Sequence, residues 1–345
     1  MMMPGRRALL LGLASGTLAA PALGQRRLMQ AATQLGWLRN GEFAPLMVAE
    51  AKGFFEAQGI QHRIVDGGPG RNPIPIVAAG QAQFGLATSG LHLLNARTAR
   101  DPIDIVGIGA LYQKTPSSFL TLGNPADPDP APKAMENKTV GVQAGSEYFV
   151  RAMARLNGVD EQKIRITIVQ ANAEPLLVGR IDFFSGWVTN QAYQIEREAA
   201  KADAPAAIRG KTWKAIRFSE WGLNAYADVI FATKKTTEEN PDLVRGYLRA
   251  VAQGVQYILD NPEDALRTVA GFQGQIETAE KLAWRWRVQN PLFVSDDTRA
   301  RGPLAMNPAT WAANSTLLRE ANEIPRTVAP EEVMTSAFLP SGRAA

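Results

Sequence analysis

The chain of 345 residues contains no cysteine, which excludes disulfides, thiolate metal sites and a cysteine nucleophile. Histidine is almost as scarce. His62 falls in or beside a candidate strand and His92 on a candidate helix, with no second ligand at metal spacing, so both read as structural or surface residues and no metal site is expected. Neither a Gly-x-Ser-x-Gly elbow nor a His-Glu-x-x-His pair occurs, so no catalytic residue is assigned. Excess charge of one sign is also missing: setting Arg6 and Arg7 apart from the 37 basic residues leaves 35 against 33 acidic ones. No basic run exceeds a few residues, and nucleic acid is not an expected partner. Apolar runs are short as well, none approaching the ~20 residues a spanning helix needs.

What is present begins with an export signal. Arg6 and Arg7 precede an uncharged apolar stretch over residues 8–20, and Ala22-Leu23-Gly24 forms a small-x-small cleavage site before Gln25. Residues 1–24 are therefore expected to be a signal peptide. The paired arginines followed by Ala-Leu-Leu point to the twin-arginine route, with the ordinary secretory route as the alternative. With no anchor cysteine at the cleavage site, the expected destination is a Gram-negative periplasm. The whole chain is 46% hydrophobic and 20% charged, the balance of a globular protein with a real core, and the part after residue 24 is long enough for two domains.

Short β-rich runs alternate with helical patterns at 28–35, 61–66, 84–87, 104–110, 118–122, 138–142, 164–169 and 181–184. Pro45, Pro73, Gly53, Gly59 and Gly80 punctuate the helices between them. This rhythm predicts an α/β fold with parallel sheets. The proline-rich segment 123–132 is expected to be an exposed loop. The run 228–233 looks like a strand returning to the first lobe, which makes that lobe discontinuous. From Asn240 onward the pattern turns to long helices, at 241–261, 278–289 and 308–321, as a tail bracing lobe one. The expected division is lobe 1 over 25–116 and 228–340 and lobe 2 over 117–227.

The segment 37–60, WLRNGEFAPLMVAEAKGFFEAQGI, resembles the opening of the nitrate/sulfonate/taurine branch of ABC-transporter substrate-binding proteins. It is most similar there to members related to thiamine-pyrimidine-precursor binding, the thiamine pyrimidine synthase-like group. Residues 77–85, 138–142 and 179–182 resemble three further signatures in the family's order. The resemblance implies a type II periplasmic-binding-protein fold: two lobes with parallel-rich sheets, joined by two hinge strands, with a helical C-terminal tail. It further implies an extracytoplasmic binder that hands a small molecule to a permease and its ATPase in the inner membrane, acting as a monomer and without a cofactor. Related eukaryotic enzymes synthesise the thiamine pyrimidine, relying on a cysteine-rich motif and a sacrificial histidine. A chain without cysteine is not expected to share that activity. A soluble sensor that presents its ligand to another receptor needs the same clamp and stays open as a reading.

In open α/β sheets ligands bind beyond the carboxyl ends of the strands. Trp37 and Trp187 are the candidate walls stacking on a flat ligand, core packing being the alternative reading. Ser89 and Ser146 stand where helices begin and serve first as N-caps, leaving free backbone N–H groups beside them for a ligand. Glu147, in a first helical turn, suits the helix dipole. Facing a cleft, it would oppose anions such as sulfonate, taurine or nitrate and pair with a donor-rich heteroaromatic such as an aminopyrimidine. Tyr148, Asn40 and Asn190 complete the expected polar contacts. Gly67-Gly68-Pro69-Gly70 is read as a turn. Trp284 and Trp286, alternating with Arg285 and Arg287, are read as packing and solvated charge.

Overall fold

The computed structural model describes residues 28–340 and 342. The expected signal peptide lies outside the described residues. The first lobe opens with β1 (Met29–Gln34), continues through helices α1 (Ala44–Ala51) and α2 (Phe54–Ala57) to β2 (Ile60–Val65), then through α3 (Pro73–Ala78) to β3 (Phe84–Ala87) and α4 (Gly90–Thr98), and ends on β4 (Ile105–Tyr112). Residues 113–116 carry the chain into β5 (Ser117–Gly123) of a second sheet. That sheet is completed by β6 (Thr139–Val142), α5 (Glu147–Leu156), β7 (Arg165–Ile168), α6 (Glu174–Leu177), β8 (Phe183–Trp187), α7 (Gln191–Ala199) and β9 (Thr212–Arg217). The chain then returns through residues 218–226 to β10 (Ala227–Thr233).

Each sheet has five strands, in the orders β2-β1-β3-β10-β4 and β7-β6-β8-β5-β9. The two orders follow one plan. In each, the strand made just after a crossing is inserted antiparallel between two others, while the remaining pairings, β1 with β2 and β3, and β6 with β7 and β8, are parallel. The sheets are thus evenly mixed and not parallel-rich. Insertion of a strand arriving from the opposite lobe forces the antiparallel half.

The opening motif is scaffold. Gly53 and Gly59 adopt φ of 73° and 72°, the left-handed conformation that glycine takes without steric cost. These turns fold α2 back so that Phe55 is buried, stacked on His62 at 4.0 Å between ring centroids. His62 also meets Thr33 Oγ1 and Glu50 Oε2, at 2.9 and 3.0 Å, and so is a structural histidine.

After β10 the chain is helical: α8 (Lys234–Glu239), α9 (Pro241–Asp260), α10 (Pro262–Ala270), α11 (Ala279–Gln289), α12 (Asp296–Arg301), α13 (Pro308–Glu320) and α14 (Pro330–Val333). α9 lays Leu243, Tyr247, Val251, Val255 and Ile258 against the first-sheet core. α11 does more than brace one lobe. Trp286 belongs to the first-sheet core and Trp284 to the second-sheet core, so one helix is wedged between both. Trp284 Nε1 and Trp213 Nε1 each donate to Glu196 Oε2 of α7 at 3.1 Å, and Arg197 pairs with Glu280 at 2.8 Å. Among the described residues no helix is long and apolar enough to cross a membrane.

Candidate functional site

The carboxyl ends of the parallel strands of both sheets face one cleft. Its smaller compartment, about 290 Å³, is lined from the first lobe by Trp37, Glu42 and Thr88 and from the second by Gln143, Trp187 and Asn190. A larger compartment of about 880 Å³ adjoins it, sharing Trp37 and Thr88 and adding Arg71, Asn72, His92 and Asn95.

The loops are held by their own hydrogen bonds. Gly67 N donates to Trp37 O at 3.0 Å, and a Cβ on Gly67 would lie 2.4 Å from Leu35 O, so only glycine lets the loop after β2 pack against the loop after β1. The 67–70 turn does border the cleft, through Gly68 and Gly70. Across the cleft Gln191 Oε1 accepts from Trp187 N at 2.9 Å, and Gln143 Nε2 donates to Ser185 O at 3.1 Å. Trp187 meets Tyr112 edge-on with ring centroids 6.2 Å apart, which fixes its indole at the junction of the lobes. Asn190 Oδ1 accepts from Lys281 Nζ of α11 at 2.8 Å.

Of the residues expected from sequence, Trp37, Trp187 and Asn190 come together in the smaller compartment. The others do not line either compartment. Asn40 is buried and its Oδ1 accepts from Glu42 N at 2.7 Å, capping a short 3-10 turn. Ser89 Oγ accepts from Leu91 N at 3.3 Å as the cap of α4. Ser146 stands at the cap position of α5 but its side chain makes no capping hydrogen bond, Glu147 is half-exposed in that helix's first turn, and Tyr148 is buried in an apolar cluster with Tyr226 and Trp311.

Two residues the sequence reading missed change the character of the cleft. Glu42 lines the smaller compartment and is only 4% exposed, and Asp228, at the start of β10, is 0% exposed. Burial pushes the Glu42 carboxyl up to about 7, against the opposing pull of Arg285. Burial raises Asp228 well above the usual carboxylate range, and the Glu42 charge raises it further. Arg285 is not solvated: it is 0% exposed, and its Nε and Nη2 grip Glu277 at 2.9 and 2.6 Å. Burial disfavours the Glu277 charge, but Arg285 and Lys281 outweigh it and hold that carboxyl below its ordinary value. Asp228 also takes a left-handed backbone, φ 45°, which a non-glycine residue adopts at a cost. The signal in the sequence was a lone acid at the head of an otherwise apolar strand, and another inside an apolar motif.

Two five-stranded α/β lobes with paired crossings and a cleft at their strand ends define the periplasmic-binding-protein fold. Residues 40–265 match the NMT1/THI5-like family model, and the chain belongs to that family. It is 24% identical to a riboflavin-binding protein, RibY, of Chloroflexus aurantiacus, over 95% of this chain and 92% of that one. It is 22% identical to a 4-amino-5-hydroxymethyl-2-methylpyrimidine phosphate synthase of Legionella pneumophila, over 71% and 74%. In structure it is similar to the periplasmic aliphatic sulphonate binding protein SsuA from Escherichia coli, with a TM-score of 0.66 at 15% identity, covering 92% of this chain and 94% of that one.

Proposed function

We propose that the protein is the exported, periplasmic solute-binding component of an ABC importer and captures a flat, nitrogen-containing heteroaromatic of pyrimidine type between its lobes. The observation that carries this reading is a cleft whose smaller compartment takes one indole from each lobe, Trp37 and Trp187, with polar groups from both lobes between them. Flat apolar walls with few directed polar groups are the ordinary build of a small-molecule site. The lobes, 25–116 with 228–340 and 117–227, close about the segments 113–116 and 218–226, and the closed clamp docks as a monomer on a permease with its ATPase.

The buried Glu42 carboxyl at the cleft wall, with Asp228 behind it, argues against sulfonate, taurine or nitrate, which would bring a second negative charge to a poorly solvated place. A flavin is a second reading, favoured by the riboflavin-binding relative and by the larger compartment, which would take a tail beyond the stacked ring. The synthase relatives raise an enzyme reading. The absence of cysteine supports a binder; one histidine, His92, does line the larger compartment.

The test is thermal melting against aminopyrimidines, riboflavin, alkanesulfonates, taurine and nitrate. A ligand at ~100 times its Kd adds about 2.7 kcal/mol to stability. A rise in melting temperature with a heteroaromatic, lost in Trp187→Ala, is expected. A rise with sulfonates or nitrate alone would place the protein among anion importers.

A further inference from the structure

Glu42 at the wall of the smaller compartment, Asp228, Arg285 and Glu277 form one buried network, with the half-buried Lys281 at its edge. The inner cations are committed: Arg285 is held by Glu277 in a two-toothed contact, and Lys281 Nζ lies 2.8 Å from Glu277 Oε1 and donates to Asn190. The Glu42 and Asp228 carboxyls hydrogen-bond to each other, and beyond that contact Glu42 Oε1 and both oxygens of Asp228 have no donor, and Arg285 Nη1 has no acceptor. Three carboxyls against two cations leave one negative charge in excess, which a single proton shared between Glu42 and Asp228 removes. Even then the pair retains more acceptor oxygens than donors. Buried acceptors without donors are costly, and an apolar pair of the same volume would make a more stable wall. A cost of this kind, placed on a cleft wall beside Trp37 and held at a strained Asp228 backbone, is characteristic of a site awaiting a donor.

We propose that the Glu42–Asp228 acid pair is the specificity-determining element of the cleft and reads the hydrogen-bond-donor edge of the ligand, an amino group beside a ring nitrogen. Glu42 makes the contact in the plane of the ring while the indoles cover its faces; Asp228 and Arg285 are positioning residues behind it. This rests on the heteroaromatic reading of the cleft and deepens it, since stacking alone does not tell an amino from an oxo substituent.

The experiment is calorimetric titration of the purified protein with a 4-aminopyrimidine and with the 4-methyl compound carrying the same other substituents, which keeps the shape of the amino group but has no donor on that edge. A donor lost opposite a buried charged acceptor costs about tenfold or more in affinity, so the amino compound is expected to bind that much more tightly. Glu42→Gln should collapse the ratio by weakening the amino compound while leaving the 4-methyl compound nearly unchanged. Trp187→Ala should weaken both alike, which separates stacking from edge recognition. If Glu42→Gln does not fold, Asp228→Asn and the wild-type ratio carry the test. Equal affinities in the wild type, or a ratio that survives the acid variants, would overturn the acid-pair assignment and leave the heteroaromatic reading standing. Failure of every pyrimidine and of riboflavin to bind would overturn both.

Discussion

Glu42 has two consequences at the scale of a single residue, one for stability and one for recognition. Its carboxyl stands at about 7 in the folded protein against an ordinary 4.5, so the folded state holds the proton more tightly than the unfolded chain. The associated stability is complete below about pH 4.5 and is lost as pH rises through 7, with a full span of about 3 kcal/mol. His62, pushed below 6.5 chiefly by burial, works in the opposite direction below that pH. The comparison is therefore best made between about pH 6.5 and 8, where the last ~1 kcal/mol of that span is lost. Urea unfolding at several pH values should show the wild type losing stability across that interval and Glu42→Gln losing much less; identical slopes would mean the acid is not buried in the manner described. Trp187→Ala should weaken a bound pyrimidine by about 1–3 kcal/mol, the usual worth of one aromatic stack on a base, as read by titration.

At the scale of elements, the tightest approach lies between α1 and α9. A Cβ on Gly254 would sit 2.2 Å from the carbonyl oxygen of Pro45, with Ala49 Cβ also in contact. Gly254→Ala should therefore push the helices apart and cost about 1–3 kcal/mol despite alanine's better helix propensity. A lower urea midpoint would report it, and a higher one would show that the crossing has slack. Most elements were legible locally. The apolar runs at 84–87 and 228–233 coincide with β3 and β10 to within a residue, and α9 and α11 begin and end at their proline, asparagine and threonine signals. β9, Thr212–Arg217, escaped notice. It pairs on one side only, with β5, and its half-buried Lys214 and Arg217 dilute the apolar pattern that marks a central strand.

At the scale of the whole molecule, α11 governs how the lobes sit. Trp284 anchors it to the second-sheet core and Trp286 to the first. Trp284→Ala deletes a buried indole, a change that typically costs about 3–5 kcal/mol. It should also loosen the junction: X-ray scattering of the ligand-free variant is expected to give a larger radius of gyration than the wild type, and ligand affinity should fall with the fraction of closed-competent molecules. An unchanged radius would locate the lobe junction elsewhere.

What the sequence by itself determined was what depends on neighbours along the chain. The strand–helix alternation, the glycine turns at Gly53 and Gly59, the two crossings, the family of the fold and the two indoles of the cleft could all be read from local pattern and order. Which polar residues meet at the cleft was decided by the tertiary structure alone. Asn40, Ser89 and Tyr148 carry suitable chemistry but spend it on capping or packing. Glu42, Asp228 and the neighbouring pair Glu277 and Arg285 come from three distant parts of the chain and become one network only when β10 returns between β3 and β4 and α11 folds across the lobes. The physical reason is burial: a carboxylate's solvation and partners set whether it titrates, pairs or waits for a ligand, and those are fixed by packing between distant segments.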